Sequence, residues 1–155
     1  MAFSSNTGLP AFVYVGGNPT NSYDLIGLFS RDELCEIFYL AKADNPSLVV
    51  YQWEDIFARD DLGPLFPEDG SNTVFGRFSG GVISYNSEIF EATTYRDARR
   101  FYETIIHEFI HLREGHYFGS SVEQEQQVRD EARAHANVAD LSRLSFSNSL
   151  IENQY

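Results

Sequence analysis

The sequence predicts an α+β domain in which a short mixed or antiparallel sheet packs on two consecutive helices. A β-prone run at residues 81–86 precedes a helix that is apolar over most of its circumference, and an alanine-rich helix follows. At 155 residues with 15% aromatic content, the chain is long enough for one domain with an aromatic-rich core. We therefore expect a single domain over 1–155, with residues 1–10 and 145–155 loose.

The charge balance excludes several classes of partner. The net charge of −12 argues against binding nucleic acid or anionic lipid, since binding to either depends on Lys and Arg.

The single cysteine, Cys35, permits no intramolecular disulfide and no cysteine-based metal site. No run approaches the ~20 apolar residues of a membrane helix, and the sequence lacks a classical signal peptide, so a cytoplasmic location is the default expectation.

The first half of the chain predicts two strands and one helix. Residues 11–15 form a short β-prone run that ends in the turn residues 16–19. Ser30 begins a capping-box pattern that starts a helix extending to about Ala43. Residues 47–53 are rich in Val, Tyr and Trp and predict a second strand.

The second half predicts a loop, a strand and two helices. Residues 54–80 carry many acids, prolines and glycines with little periodicity, which predicts a long surface loop. Residues 81–86 then predict a strand. Thr94 is expected to cap a helix over 95–117, and Ser120 or Ser121 a second helix reaching about residue 144.

The first of these helices carries the pattern H-E-x-x-H at residues 107–111, spelled His-Glu-Phe-Ile-His. Two histidines four residues apart lie on one helix face, about 6 Å apart along the axis, so both can reach one metal ion. Glu108 lies about 100° round the helix from His107, near enough to hold an activated water. Both histidines fall on a narrow polar strip of an otherwise apolar helix, where a metal would satisfy them. The pattern therefore predicts a zinc site.

Zinc in a hydrolase usually takes three protein ligands, and the sequence offers three candidates for the third. The leading candidate is Glu131, because the alanines around it would let the second helix pack closely on the first. His116 is another, if Gly115 ends the helix and redirects the chain. His135 lies one turn after Glu131 and would otherwise support the site through a hydrogen bond.

The remaining acids of the second helix form a dense charged run between residues 123 and 133. We expect this run to be a solvated face and its acids to be poor ligands, namely Glu123, Glu125 and Asp130.

These motifs together resemble the ImmA/IrrE-like metallopeptidases of the zincin group. The likeness covers residues 81–140: a strand over residues 82–86, the helix segment 100–116 with its H-E-x-x-H and Gly-His, and the Glu-Ala-Arg-Ala pattern from Glu131. Ile110 stands where that family usually has glycine, and His135 where it has Asn or Asp. SprT-like and WLM-type zincins are a second likeness. The resemblance implies a small zincin-like fold.

The resemblance also implies zinc ligands at His107, His111 and Glu131, with Glu108 as general base. In the mechanism we expect, water activated by zinc attacks a peptide carbonyl and Glu108 accepts its proton. Tyr117 or His116 would add a donor to the oxyanion, and the strand at residues 81–86 could bind an extended peptide by backbone pairing.

Two other functions remain open at this point. The domain could be a zincin-fold structural or interaction module, for instance part of a virion or a toxin, with little or no catalysis. It could also be a metal-dependent hydrolase of a substrate other than a peptide. Neither the substrate nor the oligomeric state follows from the sequence.

Overall fold

The described part of the chain contains three α-helices and a small three-stranded mixed sheet, so the α+β prediction is confirmed. The computed structural model describes residues 27–62, 64–66 and 71–151. The expected strand at residues 11–15, the turn after it, the loose arm 1–10 and residues 152–155 lie outside this part of the chain.

The first helix, α1, spans Arg31–Asp44 and begins with the predicted capping box. The Ser30 hydroxyl accepts a hydrogen bond from the amide of Glu33 at 3.1 Å, and the Glu33 carboxylate accepts one from the amide of Ser30 at 2.8 Å. These two bonds satisfy backbone donors that the first turn leaves without helical partners. The helix buries one face against the core, through Leu34, Ile37, Phe38, Leu40 and Ala41.

The sheet is built on one central strand. Numbered along the chain, the strands are β1 (Ile56–Arg59), β2 (Pro64–Phe66), β3 (Ser71–Thr73), β4 (Gly76–Ser79) and β5 (Val82–Asn86). β5 lies between β1, to which it is parallel, and β4, to which it is antiparallel. β2 and β3 form a separate antiparallel pair.

Two expectations for the middle of the chain were wrong. Residues 47–53 form no strand; Lys42 donates to the carbonyls of Val49 and Tyr51 at 2.8 and 3.0 Å, so a side chain takes the place of a strand partner. The stretch 54–80 is not one long loop, since it contains β1 to β4. These strands have three or four residues each, too few for an alternating pattern to show in the sequence.

The two long helices begin where their caps predict. α2 spans Tyr95–Glu114 with Thr94 as its cap, and α3 spans Val122–Asn137 with Ser121 in a capping box. Each helix ends earlier than expected. Gly115, with a φ of 75°, terminates α2, and the chain after α3 continues into short 3-10 turns at Leu141–Arg143 and Ser147–Ser149.

The C-terminal segment is ordered as far as residue 151, although we expected it to be loose from residue 145. Leu150 is buried, and Ile151 pairs in a bridge with Thr94 at the start of α2. The Tyr95 hydroxyl donates to the carbonyl of Ser147 at 3.2 Å. An apolar side chain and backbone pairing thus hold a segment whose Ser- and Asn-rich composition predicted fraying.

The core is aromatic, as the composition predicted. Phe101 of α2 lies at its centre, fully buried, in edge-on contact with Trp53, Tyr85 and Phe90 at ring-centroid distances of 5.1 to 6.4 Å. Trp53 also stacks on Tyr85 at 5.7 Å. These contacts tie α2 to β5 and fix the helix that carries the two histidines. Within the described residues, no helix is both long and apolar enough to span a membrane.

The central position of Phe101 predicts a large loss of stability on truncation. Phe101→Ala should lower the free energy of unfolding by about 3–5 kcal/mol, because it removes a fully buried ring and leaves a cavity. Phe118→Ala is the matched control, since Phe118 is fully exposed, and it should stay within about 0.5 kcal/mol. Urea denaturation followed by circular dichroism measures both, and equal losses would contradict the assigned core.

Candidate metal centre

The connection between α2 and α3 places a residue near the end of α2 beside a residue near the start of α3. The helices are antiparallel neighbours joined by residues 115–121. His111 lies three residues before Glu114, the last residue of α2, and Glu125 lies three residues after Val122, the first residue of α3. Because both helices rise by the same distance per residue, His111 and Glu125 lie at the same distance along their helices from the connection.

Glu125 joins the two histidines in a tight cluster. One carboxylate oxygen lies 2.8 Å from Nε2 of His107, and the other lies 3.1 Å from Nε2 of His111. The two Nε2 atoms are 3.2 Å apart. One potential ligand atom from each of the three residues lies within 4.8 Å of the other two, so the group could hold a metal ion.

The spacing of these atoms suits a tetrahedral ion. Zinc binds nitrogen and oxygen at about 2.0–2.2 Å, so two ligand atoms at a tetrahedral angle would be about 3.3 Å apart. The two Nε2 atoms are 3.2 Å apart, close to that separation, and each lies within 3.1 Å of a different carboxylate oxygen of Glu125.

The sequence contained a signal for Glu125 that its charged surroundings concealed. The buried residues of α3 are Val128, Ala132 and Ala136, spaced four apart along the face that meets α2. Glu125 lies three residues before Val128 and extends this stripe by one turn. The expectation that Glu125 lies on a solvated face is wrong, because its carboxylate contacts both histidines of α2.

Glu131, the leading candidate for the third ligand, is not brought to the histidines. It lies six residues after Glu125, which is about 120° round the helix. Its carboxylate instead forms a two-point ion pair with Arg113, with both N–O distances at 2.8 Å. These hydrogen bonds lower the pKa of Glu131. His135 lies beside it at 3.9 Å, so neither residue belongs to the cluster.

Glu108 lies buried against the strand β4, with 6% of its surface exposed. A Cβ atom built on Gly76 would come within 3.3 Å of the Glu108 carboxylate and 2.7 Å of Cγ2 of Thr104. Only glycine leaves room for this close approach of strand and helix. Burial raises the pKa of Glu108 and outweighs the nearby His107 and His111, which lower it.

The charges of the cluster support one another. The hydrogen bond from His107 and that from His111 hold the pKa of Glu125 well below its usual range. Burial lowers the pKa of His107, but the hydrogen bond to Glu125 and the charge of Glu108 outweigh burial, so the net change is upward. The site therefore favours positive charge next to its two carboxylates, which a bound cation would supply.

His116 and Tyr117, the two expected donors, lie in different places. Nδ1 of His116 is 3.0 Å from Nδ1 of His111, so His116 contacts the cluster through His111 and also lines the cleft. The Tyr117 ring instead packs on Phe78 at a centroid distance of 5.2 Å and lies 3.9 Å from where a Cβ on Gly81 would be. Tyr117 is not among the residues that line the cleft at the cluster.

An open cleft of about 190 Å³ gives access to the cluster. Its wall is formed by one strand, two helices and the turn between them, through Gly76, Phe78, His107, Glu108, His111, His116, Gly119, Ser120 and Glu125. The strand on this wall is β4 and not the expected segment 81–86. Both edges of β5 are occupied, by β1 and β4, so β5 has no free edge for a peptide.

Comparison with protein-family profiles, with curated proteins and with solved structures finds no match to this chain. The function of the site therefore has to follow from its own residues.

The cluster predicts which glutamate a metal needs. Glu125→Ala should weaken Zn²⁺ binding by at least about 100-fold, because it removes a direct ligand and not an outer partner, whose loss typically costs 10–100-fold. Glu131→Ala is the matched control on the same helix and should bind Zn²⁺ like the wild type. Competition with a chromogenic chelator measures both affinities, and the reverse order would restore Glu131 as the ligand.

Proposed function

We propose that this chain is a zinc-dependent peptide-bond hydrolase. In it, His107, His111 and Glu125 hold the metal and Glu108 is the general base. One observation carries the proposal: three ligand atoms and a buried carboxylate meet in a single open cleft. The motif likeness to ImmA/IrrE-like metallopeptidases supports it, with Glu125 taking the place that the likeness gave to Glu131.

The donor set favours zinc over harder cations. Two imidazoles and one carboxylate match the ligands that zinc takes in hydrolytic sites, whereas Mg²⁺ and Ca²⁺ prefer oxygen alone. With three protein ligands, a zinc ion held there would keep a fourth coordination position for water. When bound there, zinc supplies a Lewis acid that activates water and polarises a carbonyl.

Glu108 is the group best placed to move the proton. It follows His107 directly, lines the same cleft, and offers a carboxylate that burial makes more basic. A pKa raised toward the working pH suits a general base. Glu108 accepts the proton of the attacking water and returns it to the leaving amine, so one residue serves both steps.

Charge supports a cation at the cluster over a plain ion pair. Glu108, which is buried, and Glu125, which is half-buried, bring two carboxylates to the same small site. An Nε2–Nε2 distance of 3.2 Å disfavours two protonated imidazoles, because their positive charges would repel each other at this range. A divalent cation offsets both carboxylates and leaves the imidazoles neutral.

The edge strand β4 favours a peptide as the substrate. Among the strands that the structure describes, β4 pairs with β5 alone, and its residues Gly76 and Phe78 line the cleft beside the cluster. An extended peptide can add to such an edge through main-chain hydrogen bonds. This addition would lay the peptide across the cleft, with a carbonyl group next to the metal and Glu108.

A structural or interaction module is the second candidate. The cluster already links α2 to α3 through the two hydrogen bonds to Glu125, so it would stabilise the fold even without turnover. The two functions differ in Glu108, which a structural site does not need.

Replacing the base separates these functions. Glu108→Gln should keep zinc bound but lower the rate of hydrolysis by about 10²–10⁴-fold, the usual share of general acid–base catalysis. The measurement is turnover of unfolded casein by the zinc-loaded chain, with a chelator-treated sample for background and zinc content determined on the same preparations.

Glu114→Gln is the matched control, because Glu114 is an exposed glutamate at the end of the same helix. It should leave both zinc content and turnover unchanged. Casein hydrolysis by Glu108→Gln at the wild-type rate would refute the assigned base. A zinc-loaded wild type that hydrolyses nothing would favour the structural module.

A further inference from the structure

His116, the residue after the glycine that ends α2, contacts His111 at two points. Gly115 adopts the left-handed conformation, and the amide of His116 donates to the carbonyl of His111 at 2.9 Å. This is the Schellman pattern of helix termination. The His116 side chain then reaches back, so that its Nδ1 lies 3.0 Å from Nδ1 of His111, with the rings edge-on at 61°.

The hydrogen bond between the two rings fixes where their protons lie once a metal is bound. A bond between two ring nitrogens needs one donor and one acceptor. If Nε2 of His111 gives its lone pair to a metal, the proton of His111 is on Nδ1 and is donated to Nδ1 of His116. The proton of a neutral His116 must then be on its own Nε2, on the far side of its ring.

His116 is partly exposed and lines the cleft, so its Nε2–H group is a candidate donor to a bound substrate. The hydroxyl of Ser120, which also lines the cleft, already donates a hydrogen bond to the carboxylate of Glu125 at 3.3 Å. Tyr117 packs on Phe78 instead. His116 is therefore the side chain best able to offer an N–H group to a carbonyl oxygen in the cleft.

We propose that His116 has two roles in the proposed hydrolase: its Nδ1 orients His111, and its Nε2–H donates a hydrogen bond to the substrate oxygen that becomes negative. The first role is that of a positioning residue. The second stabilises the charge that develops as water adds to the carbonyl. This inference rests on the proposed function, but its two roles can be tested separately.

Two substitutions at one position separate the roles. Asparagine can place its side-chain oxygen where Nδ1 of histidine was, so His116→Asn keeps the acceptor for His111 and loses the distal donor. His116→Ala loses both. His116 is only half-buried, in a turn, and circular dichroism checks that each variant is folded.

The expected results differ between the variants. His116→Asn should bind Zn²⁺ like the wild type, with kcat on a casein-derived peptide lowered about 100-fold and KM little changed, as for loss of one oxyanion donor. His116→Ala should lose kcat similarly and also bind Zn²⁺ about 10–100-fold more weakly. Zn²⁺ affinity is measured by chelator competition, and kinetics at saturating Zn²⁺.

A spectroscopic readout is independent of turnover. In ¹⁵N NMR of the zinc-loaded full chain, His116 should carry its proton on Nε2 and show an unprotonated Nδ1. Wild-type kcat in His116→Asn overturns the donor role. Wild-type Zn²⁺ affinity in His116→Ala, or a proton on Nδ1 of His116, overturns the positioning role. A wild type that binds Zn²⁺ without hydrolysing peptide overturns the peptidase instead, and the affinity and NMR results still decide the positioning role.

Discussion

The packing of the first turn of α3 against the last turns of α2 is the contact on which the site depends. It sets Glu125 at the height of His111, and the carboxylate then meets both histidines within 3.1 Å. The Ser121 capping box fixes where α3 begins, and Gly115 fixes where α2 ends. A shift of either end by one residue would turn a ligand about 100° away from the cluster.

The rest of the fold holds this contact in place. The aromatic core anchors α2 to the sheet, and β4 crosses the helix so closely that Gly76 leaves no space for a side chain above Glu108. Burying Glu108 is costly, since a carboxylate loses hydration there. That cost is compatible with a function, because a buried carboxylate with a raised pKa is a better proton acceptor next to a metal.

Local rules in the sequence predicted a large part of this arrangement. The caps at Ser30, Thr94 and Ser121 depend on neighbouring residues only, and all three are found in the structure. The short strands between residues 56 and 79 escaped prediction because their stability comes from pairing with β5, which is distant in sequence. The third ligand depended on which face of α3 meets α2. Alanines on several sides of that helix obscured the face, and Val128 with Ala132 and Ala136 defines it.

The proposed function requires that His107, His111 and Glu125 form one metal site. This assignment can be tested by a crystal structure of the zinc-loaded chain, with anomalous data collected on both sides of the zinc absorption edge. We expect one anomalous peak about 2.0–2.2 Å from Nε2 of both histidines and from a carboxylate oxygen of Glu125. A peak bound to Glu131 or His135, or no peak between the two helices, would contradict it.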